Sequence, residues 1–268
     1  WFLWGHRLKK ALRRLRSKGE RPVIIYQMGK VASSSIEHSL HQVAGLAVFK
    51  VHQLNLEKIR EIRQQHGYAI GSVVRRGALG EALHRTIISQ ELPARIITLV
   101  RDPIARNISA FFENLHLFCG SKNAHRDMET EALIQIFLDK YSHDVPLTWF
   151  DTELRDTLGI DVFAQPFPIA EGFQTIEHER YPTLVLRCDL PDEKKIQCLK
   201  EFLQLDSLEL VQKNIGRNKA YHEQYHQFQQ MIRLPQEYVD RMLDSKYTRH
   251  FFSPEEVEQL RRKWLRSE

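Results

Sequence analysis

A chain of 268 residues, 42% hydrophobic and 10% aromatic, is long enough to bury the core of one large globular domain. No apolar run approaches the roughly 20 residues of a membrane span, so we expect no stable membrane insertion. The net charge of +5 is uneven, because residues 1–22 contain eight Lys/Arg and one Glu. The rest of the chain has 31 Lys/Arg and 33 Asp/Glu, which argues against nucleic-acid binding by the whole domain.

Residues 1–22 predict a basic N-terminal helix or tail, followed by a single domain over residues 23–268. The tail has a partial apolar stripe, and it either lies on a membrane surface, meets an acidic substrate, or docks on its own domain. The chain contains three cysteines and no CxxC pair, which favours a reducing compartment and hence a cytoplasmic location. The oligomeric state is not readable from the sequence.

The segment from Val23 to Leu40 predicts a strand, a small polar loop and a helix. Val23–Tyr26 suits a buried parallel strand, and Ile36 and Leu40 have helical spacing. The loop between them combines a glycine, a lysine and three serines, which suits anion binding at a helix N-terminus. The predicted anion-binding residues are Gly29, Lys30, Val31, Ala32, Ser33, Ser34 and Ser35.

This loop differs from a magnesium-binding Walker A loop. Val31 stands where a Walker A loop has its metal-binding hydroxyl, and Ile24 stands where it has its first glycine. A magnesium–ATP enzyme of that kind is therefore disfavoured. The alternative is that the serines cap an ordinary helix.

The segment from Ile96 to Leu115 predicts another buried strand followed by a helix. Asp102 is a suitable N-cap, and Pro103 is a suitable first helical residue. Arg101 stands at the strand end, where P-loop NTPases usually carry a magnesium-binding aspartate. Ser109 lies about 9 Å along the helix axis from the strand end, and an extended Arg101 side chain can cover much of that distance. Both residues could therefore bind one phosphate group. Alternatively, Arg101 pairs with a surface carboxylate.

Together the two segments resemble the sulfotransferases that use 3′-phosphoadenosine 5′-phosphosulfate (PAPS). The run KVASSSI from Lys30 to Ile36 is similar to the K-x-A-S-[ST]-S-[FI] loop that holds the 5′-phosphosulfate in carbohydrate sulfotransferases. Arg101 and Ser109 match the pair that holds the 3′-phosphate. The resemblance is closest to bacterial sulfotransferases associated with capsular polysaccharide synthesis. It implies an α/β fold of the P-loop type, with three α/β/α layers and a central parallel sheet.

Two further segments extend the resemblance. The N-K-W-Y-S signature of these relatives stands here as N-K-A-Y-H, residues 218–222, with two positions changed. It implies that Lys219 closes over the nucleotide. The relatives also carry a W-F-D stretch near Trp149–Asp151, where Trp149 and Asp151 could shape an acceptor pocket. Alternatively, these two are a core aromatic residue and a helix-turn acid.

The remaining pattern alternates strands and helices, which favours a parallel sheet with right-handed crossovers. Leu46–Val51 is the second predicted strand and ends on His52. The carboxyl ends of parallel strands share one edge, so we expect His52 beside the phosphate loop. Imidazole can accept a proton near neutral pH, and the relatives often place a catalytic histidine after this strand. His52 is therefore the candidate general base, the alternative being a structural histidine.

The sequence thus predicts metal-free transfer of a sulfuryl group from PAPS, leaving adenosine 3′,5′-bisphosphate (PAP). The acceptor would be a hydroxyl or amine of a saccharide or a small natural product. A sulfuryl group carries less negative charge than a phosphoryl group, so protein cations can replace magnesium. Lys30 would be such a cation and would stabilise the charge on the leaving nucleotide. Two alternatives stay open: a zinc hydrolase using the HExxH match at His222 and His226, and a non-catalytic anion-binding module.

Overall fold

The computed structural model describes residues 2–66, 71–121, 123–211 and 220–265. By its internal contacts the chain divides into two compact units. The first unit comprises residues 1–100 and 149–211, and the second comprises residues 101–148 and 212–268. The sequence pattern did not predict this division, because each unit is assembled from segments that are distant in the chain.

The secondary structure of the described residues is mixed α/β. The strands are β1 (Val23–Tyr26), β2 (Val48–Val51), β3 (Arg95–Val100), β4 (Phe173–Ile176) and β5 (Thr183–Arg187). The α-helices are α1 (Phe2–Lys18), α2 (Ser34–Gln42), α3 (Leu56–His66), α4 (Gly71–Leu83), α5 (Pro103–Glu113), α6 (Leu115–Cys119), α7 (Ala124–Asp127), α8 (Thr130–Lys140), α9 (Val145–Trp149), α10 (Asp156–Leu158), α11 (Asp192–Leu203), α12 (His222–Met231), α13 (Gln236–Leu243), α14 (Lys246–Phe251) and α15 (Pro254–Leu265). Two π-helical segments cover His84–Ile88 and Phe150–Arg155.

The first unit contains a five-stranded sheet in the order β2-β1-β3-β5-β4. β2, β1, β3 and β5 are parallel, which confirms the predicted parallel core of a mixed α/β fold. β4 corrects the expectation of an all-parallel sheet, because it pairs antiparallel with β5. Only six residues join these two strands, which is too short for a parallel crossover connection. The finer P-loop-type, three-layer description stays a prediction.

Apolar residues explain why this sheet forms where the sequence predicts it. All four residues of β1 are buried, as expected for a strand between two parallel neighbours. In α1, Leu8, Ala11 and Leu15 are buried at helical spacing. The basic N-terminal helix therefore docks on its own unit, which was one of the three alternatives. Among the described residues, no helix is both long and apolar enough to cross a membrane.

The second unit is helical and is built around an aromatic cluster. Phe111 of α5 lies at its centre, with its ring 5.4 Å from Phe137 and 6.0 Å from Phe228. The predicted N-cap of α5 is confirmed, because the Asp102 carboxylate accepts hydrogen bonds from two backbone N–H groups of the first turn. Pro103 is the first helical residue, as predicted. The spacing of apolar residues in α5 thus gives this helix a buried face that contains aromatic side chains.

The residues that follow β2 are packed closely against α4. A Cβ atom added at Gly80 would lie 2.1 Å from the carbonyl oxygen of Gln53. The neighbouring His84 also contacts this segment, because its Nδ1 donates to the Leu54 carbonyl oxygen at 2.7 Å. The close approach requires a glycine at position 80, and it helps to fix the backbone directly after His52.

We predict that Gly80→Ala destabilises the first unit by roughly 1–3 kcal/mol, because the added methyl group displaces the Gln53 backbone. The measurement is the free energy of unfolding in urea. Gly77→Ala in the same helix is the matched control, since its Cβ meets the nearest atom at an ordinary 3.5 Å. Alanine is the better helix former by about 1 kcal/mol, so the control should be neutral or stabilising. Equal effects of the two substitutions would contradict this packing.

Candidate functional site

The loop between β1 and α2 has a backbone conformation that suits anion binding. Gly29, Lys30 and Ala32 all have left-handed φ angles, of 77°, 62° and 62°. Such a succession turns backbone N–H groups toward a common concavity. A left-handed backbone conformation costs about 1–3 kcal/mol at each residue other than glycine. Lys30 and Ala32 therefore place considerable strain on this short loop. Strain of this kind is typical of ligand-binding turns.

The loop leads directly into the N-terminus of α2. Ser33 is the N-cap residue, but its side chain forms no capping hydrogen bond to the helix. It is buried, whereas Ser34 and Ser35 are half-buried. The helix dipole therefore adds partial positive charge beside the loop, and the N-cap side chain does not occupy the first-turn N–H groups. Both features favour an anion here.

Gln27 organises this loop, although the sequence analysis did not select it. Its side chain is 1% exposed. Its Oε1 accepts a hydrogen bond from the Gly29 N–H at 2.8 Å, and its Nε2 donates to the Ser33 hydroxyl at 3.0 Å. One buried amide thus ties the start of the loop to its end. The sequence signal that could have identified it is a polar residue directly after a buried strand and two positions before a glycine.

His52 lies against the loop, as the parallel strand order predicts. The ring atoms of His52 are 3.5–3.7 Å from the position of a Cβ atom on Gly29. Its Nδ1 is 2.9 Å from the Gln27 carbonyl oxygen, which can only accept a hydrogen bond. Nδ1 therefore carries the proton, and in the neutral ring the lone pair lies on Nε2. This tautomer suits a general base that acts through Nε2.

Trp149 and Glu153 hold the backbone on which His52 stands. The Trp149 indole N–H donates to the His52 carbonyl oxygen at 2.9 Å. The Glu153 carboxylate accepts from the backbone N–H groups of Leu54 at 2.8 Å and Asn55 at 3.0 Å. The Tyr26 hydroxyl donates to the same carboxylate oxygen. The chain segment after β2 is therefore fixed by two side chains from residues 149–153.

Burial shifts the titration of the Glu153–Tyr26 pair. Desolvation raises the pKa of Glu153, and the hydrogen bonds from Tyr26, Asn55 and Leu54 oppose that rise. The pKa of Tyr26 is raised well above its ordinary value, first by burial and then by the adjacent Glu153 charge. Tyr26 therefore stays protonated as a donor, and Glu153 is the group of the pair that titrates.

Trp149 and Asp151, the two residues predicted to shape an acceptor pocket, have different surroundings in the structure. Trp149 is 5% exposed, and its ring lies edge-on to Tyr26 at 4.9 Å. Asp151 forms an ion pair with Arg155 one helical turn away. Trp149 thus has the packing of a core aromatic residue that also positions His52. Contact of either residue with an acceptor stays a prediction.

Arg101 and Ser109 belong to the second unit. The Tyr247 hydroxyl accepts from the Arg101 N–H at 2.9 Å and donates to the Arg101 carbonyl oxygen at 2.8 Å. Burial raises the pKa of Tyr225, while the charge of Arg101 and a hydrogen bond from its side chain lower it. Ser109 is half-buried on α5. Arg101 is thus anchored through its backbone at the start of α5, and its phosphate role stays a prediction.

Two other sequence predictions concern residues 218–226. Lys219 and Asn218 lie outside the described residues, so the role of Lys219 stays a prediction. His222 and His226 lie on one face of α12, with ring centroids 4.5 Å apart. In the part of the chain that the structure describes, no group of three or more His, Cys, Asp or Glu residues could hold a metal ion. The zinc hydrolase alternative therefore has no third ligand among these residues.

Part of the chain matches the model of a known protein family. Residues 125–253, slightly under half of the chain, match the model of the NKWYS family, described as "Putative capsular polysaccharide synthesis protein". No curated protein and no solved structure matches the chain. The matched segment includes Trp149, Asp151 and Glu153, whereas the loop at residues 28–35, His52 and Arg101 lie outside it. The chain is thus similar to a family linked to capsular polysaccharide synthesis.

We predict that the stability difference between the parent and Glu153→Gln depends on pH. The folded-state pKa of Glu153 is raised, so its burial penalty is greatest when the carboxylate is ionised. As the pH falls through that pKa toward the ordinary glutamate range, the parent should gain stability relative to the variant, which does not titrate there. Urea unfolding of both proteins between pH 8 and pH 5 measures this difference.

The control for this prediction is Glu193→Gln, an exposed residue of α11 in the same unit. It makes the same change of net charge without altering a buried group. A stability difference for Glu153→Gln that stays constant over this pH range, or that changes as it does for the control, would contradict the raised pKa.

Proposed function

We propose that this protein is a PAPS-dependent sulfotransferase acting on a hydroxyl or amine of a saccharide. The proposal is carried by one observation: the general-base candidate His52 packs against Gly29 of the anion-binding loop, with its Nδ1 proton donated to Gln27. In-line sulfuryl transfer needs a site for the phosphosulfate group and, beside it, a base that can take the proton of the acceptor. The match to a capsular polysaccharide synthesis family supports a saccharide acceptor.

The loop residues fit the 5′-phosphosulfate group of PAPS. The left-handed conformations of Gly29, Lys30 and Ala32 and the N-terminus of α2 supply backbone N–H groups and positive potential. Lys30 adds a full positive charge, which can stabilise the charge that develops on the leaving nucleotide. Bound PAPS would supply the activated sulfuryl group. The 3′-phosphate role of Arg101 and Ser109 rests on the sequence resemblance.

His52 has the proton-transfer role in this proposal. Its Nε2 takes the proton of the acceptor hydroxyl or amine as the new bond from acceptor to sulfur forms. The bond from sulfur to the bridging oxygen breaks, and PAP leaves with the electron pair. Trp149 and Glu153 do not react; they hold the His52 backbone in place. In this proposal His52 takes the proton and Lys30 stabilises the leaving nucleotide, and both residues belong to the first unit.

We predict that PAP raises the melting temperature more than AMP or magnesium–ATP at equal concentration. A ligand that binds the native state stabilises it by mass action, and PAP alone of the three carries a 3′-phosphate. Differential scanning fluorimetry measures the shifts. Arg101→Ala should reduce the advantage of PAP over AMP. Equal stabilisation by all three nucleotides would contradict the proposed donor.

We predict that His52→Ala lowers turnover by roughly 10²–10⁴-fold, the usual contribution of general acid–base catalysis. PAP binding should stay nearly unchanged, because a base acts only in the transition state. Lys30→Ala should lower both turnover and PAP binding, because that cation faces the phosphosulfate in the ground state as well. Transfer of labelled sulfate, with PAP affinity measured by calorimetry, separates the two variants.

The matched control is His226→Ala, which removes an exposed histidine of the HExxH sequence. It should retain turnover under the sulfotransferase proposal and lose it under the zinc hydrolase alternative. Turnover of His52→Ala within about threefold of the parent, well below the general-base range, would show that His52 is not the base. PAP binding with no sulfate transfer to any acceptor would favour a non-catalytic module.

A further inference from the structure

The first unit contains a cavity of about 240 Å³ on the edge of the sheet opposite the anion-binding loop. It lies where the parallel strands begin: Arg95 is the first residue of β3, and Ala47 immediately precedes β2. A four-residue strand is about 13 Å long, so this edge is well separated from the loop after β1. The cavity is lined by residues of α1, of the α1–β1 and α2–β2 connections, of β3, and by Leu205.

Three arginines and one carboxylate line this cavity, so its net charge is positive. Arg14 forms an ion pair with Glu20. Arg95 donates to two neutral acceptors at 3.3 Å, the Leu203 carbonyl oxygen and the Gln204 side chain. Among the described residues, neither Arg95 nor Arg21 forms an ion pair with a carboxylate. Two arginine charges at the cavity are therefore left without a neutralising partner in this part of the chain.

The backbone around the cavity is shaped to admit the Arg14 guanidinium. Gly45 has a φ of 87°, and a Cβ atom at this position would lie 2.8 Å from Nη2 of Arg14. The glycine thus allows the guanidinium to pack on the α2–β2 connection. Burial, followed by repulsion from Arg21, lowers the pKa of Arg95. An anion between these arginines would relieve that repulsion.

The positive charge continues from the cavity along α1. Arg7, Lys10, Arg14 and Lys18 follow one stripe of this helix at spacings of three and four residues. The stripe spans about 16 Å at 1.5 Å per residue. Arg7, Lys10 and Lys18 are exposed, because Leu8, Ala11 and Leu15 turn the apolar face of the helix into the unit. Arg14 belongs both to the stripe and to the lining of the cavity, so the cavity is continuous with an elongated cationic surface.

We propose that the cavity and the cationic stripe bind a linear anionic saccharide, with one of its carboxylate or phosphate groups held by Arg21 and Arg95. An arginine fork suits such groups, because it can donate two parallel hydrogen bonds. A lipid surface fits less well, because Leu8, Ala11 and Leu15 of α1 are buried in the unit and cannot enter a bilayer. The match to a polysaccharide synthesis family favours a saccharide as the source of the charge. The inference does not rest on sulfuryl transfer.

The test uses the full chain and an end-labelled oligomer of galacturonic acid, with a neutral oligomer of galactose of equal length as the comparison. We expect the parent to bind the acidic oligomer in a fluorescence anisotropy titration and not the neutral one. Arg21→Gln/Arg95→Gln should weaken this binding by about tenfold or more, because it removes two charge-assisted contacts. Arg21→Gln alone should melt no lower than the parent in the absence of ligand, because it removes the repulsion between the two arginines and leaves the Arg95 hydrogen bonds in place.

Two control variants make the result specific. Arg180→Gln/Lys194→Gln removes the same charge from ion pairs elsewhere in the first unit and should bind as the parent does. Lys30→Ala should also bind as the parent does, because the phosphate loop lies on the other edge of the sheet. If the double arginine variant does not fold, Arg21→Gln alone decides, since Arg21 forms no hydrogen bond among the described residues that the substitution could break.

Four results would overturn the proposal. The first is binding of the acidic oligomer that is unchanged by Arg21→Gln/Arg95→Gln, or weakened equally by the control pair. The second is loss of binding in Lys30→Ala, which would assign the anion to the phosphate loop. The third is binding to phosphatidylglycerol vesicles without binding to the oligomer, which would indicate a membrane surface. The fourth is a melting-temperature increase with inorganic phosphate but none with the oligomer.

Discussion

The buried carboxylate of Glu153 is the interaction on which the proposed site depends. One of its oxygens accepts hydrogen bonds from the Tyr26 hydroxyl and from the backbone N–H groups of Leu54 and Asn55. It therefore joins the last residue of β1 to the segment that follows β2. Removing a buried acceptor leaves its donors unsatisfied at about 1–3 kcal/mol each, so these contacts are costly to break. Since His52 stands at the start of this segment, its position is a consequence of that carboxylate.

The strain in the anion-binding loop has a comparable structural explanation. Lys30 and Ala32 adopt left-handed conformations that are unfavourable for residues with a side chain. Their neighbours Met28 and Val31 are buried, and the Gln27 amide joins both ends of the loop. Burial of apolar side chains and two buried hydrogen bonds therefore offset the strain. The loop is held in an anion-binding shape by the protein itself, which reduces the ordering cost of binding.

The two edges of the sheet carry different charged features. The carboxyl edge has a single lysine in a loop of backbone N–H groups, beside a histidine, and this combination suits chemistry on one bound group. The amino edge has three arginines at a cavity that continues into the exposed basic stripe of α1, and this suits binding of an extended anion. The basic character of the sequence is thus concentrated away from the proposed reaction, and it contributes binding of a different kind.

The sequence by itself determined the features that depend on neighbouring residues. It predicted the strands β1, β2 and β3 and the Asp102–Pro103 start of α5. The predicted parallel arrangement also placed His52 on the same sheet edge as the loop, because parallel strands end on one edge.

Only the tertiary structure decided the features that depend on residues far apart in the chain. It decided the antiparallel pairing of β4, the division into two units, and the roles of Gln27 and Glu153. A glutamate within an acidic segment looks like any surface acid, and only folding brings Glu153 to Tyr26 across 127 positions. The cavity at the amino edge has the same origin, because Arg14, Arg21 and Arg95 come from separate segments. Local patterns specify helices and strands, whereas burial and long-range contacts determine which polar side chains act together.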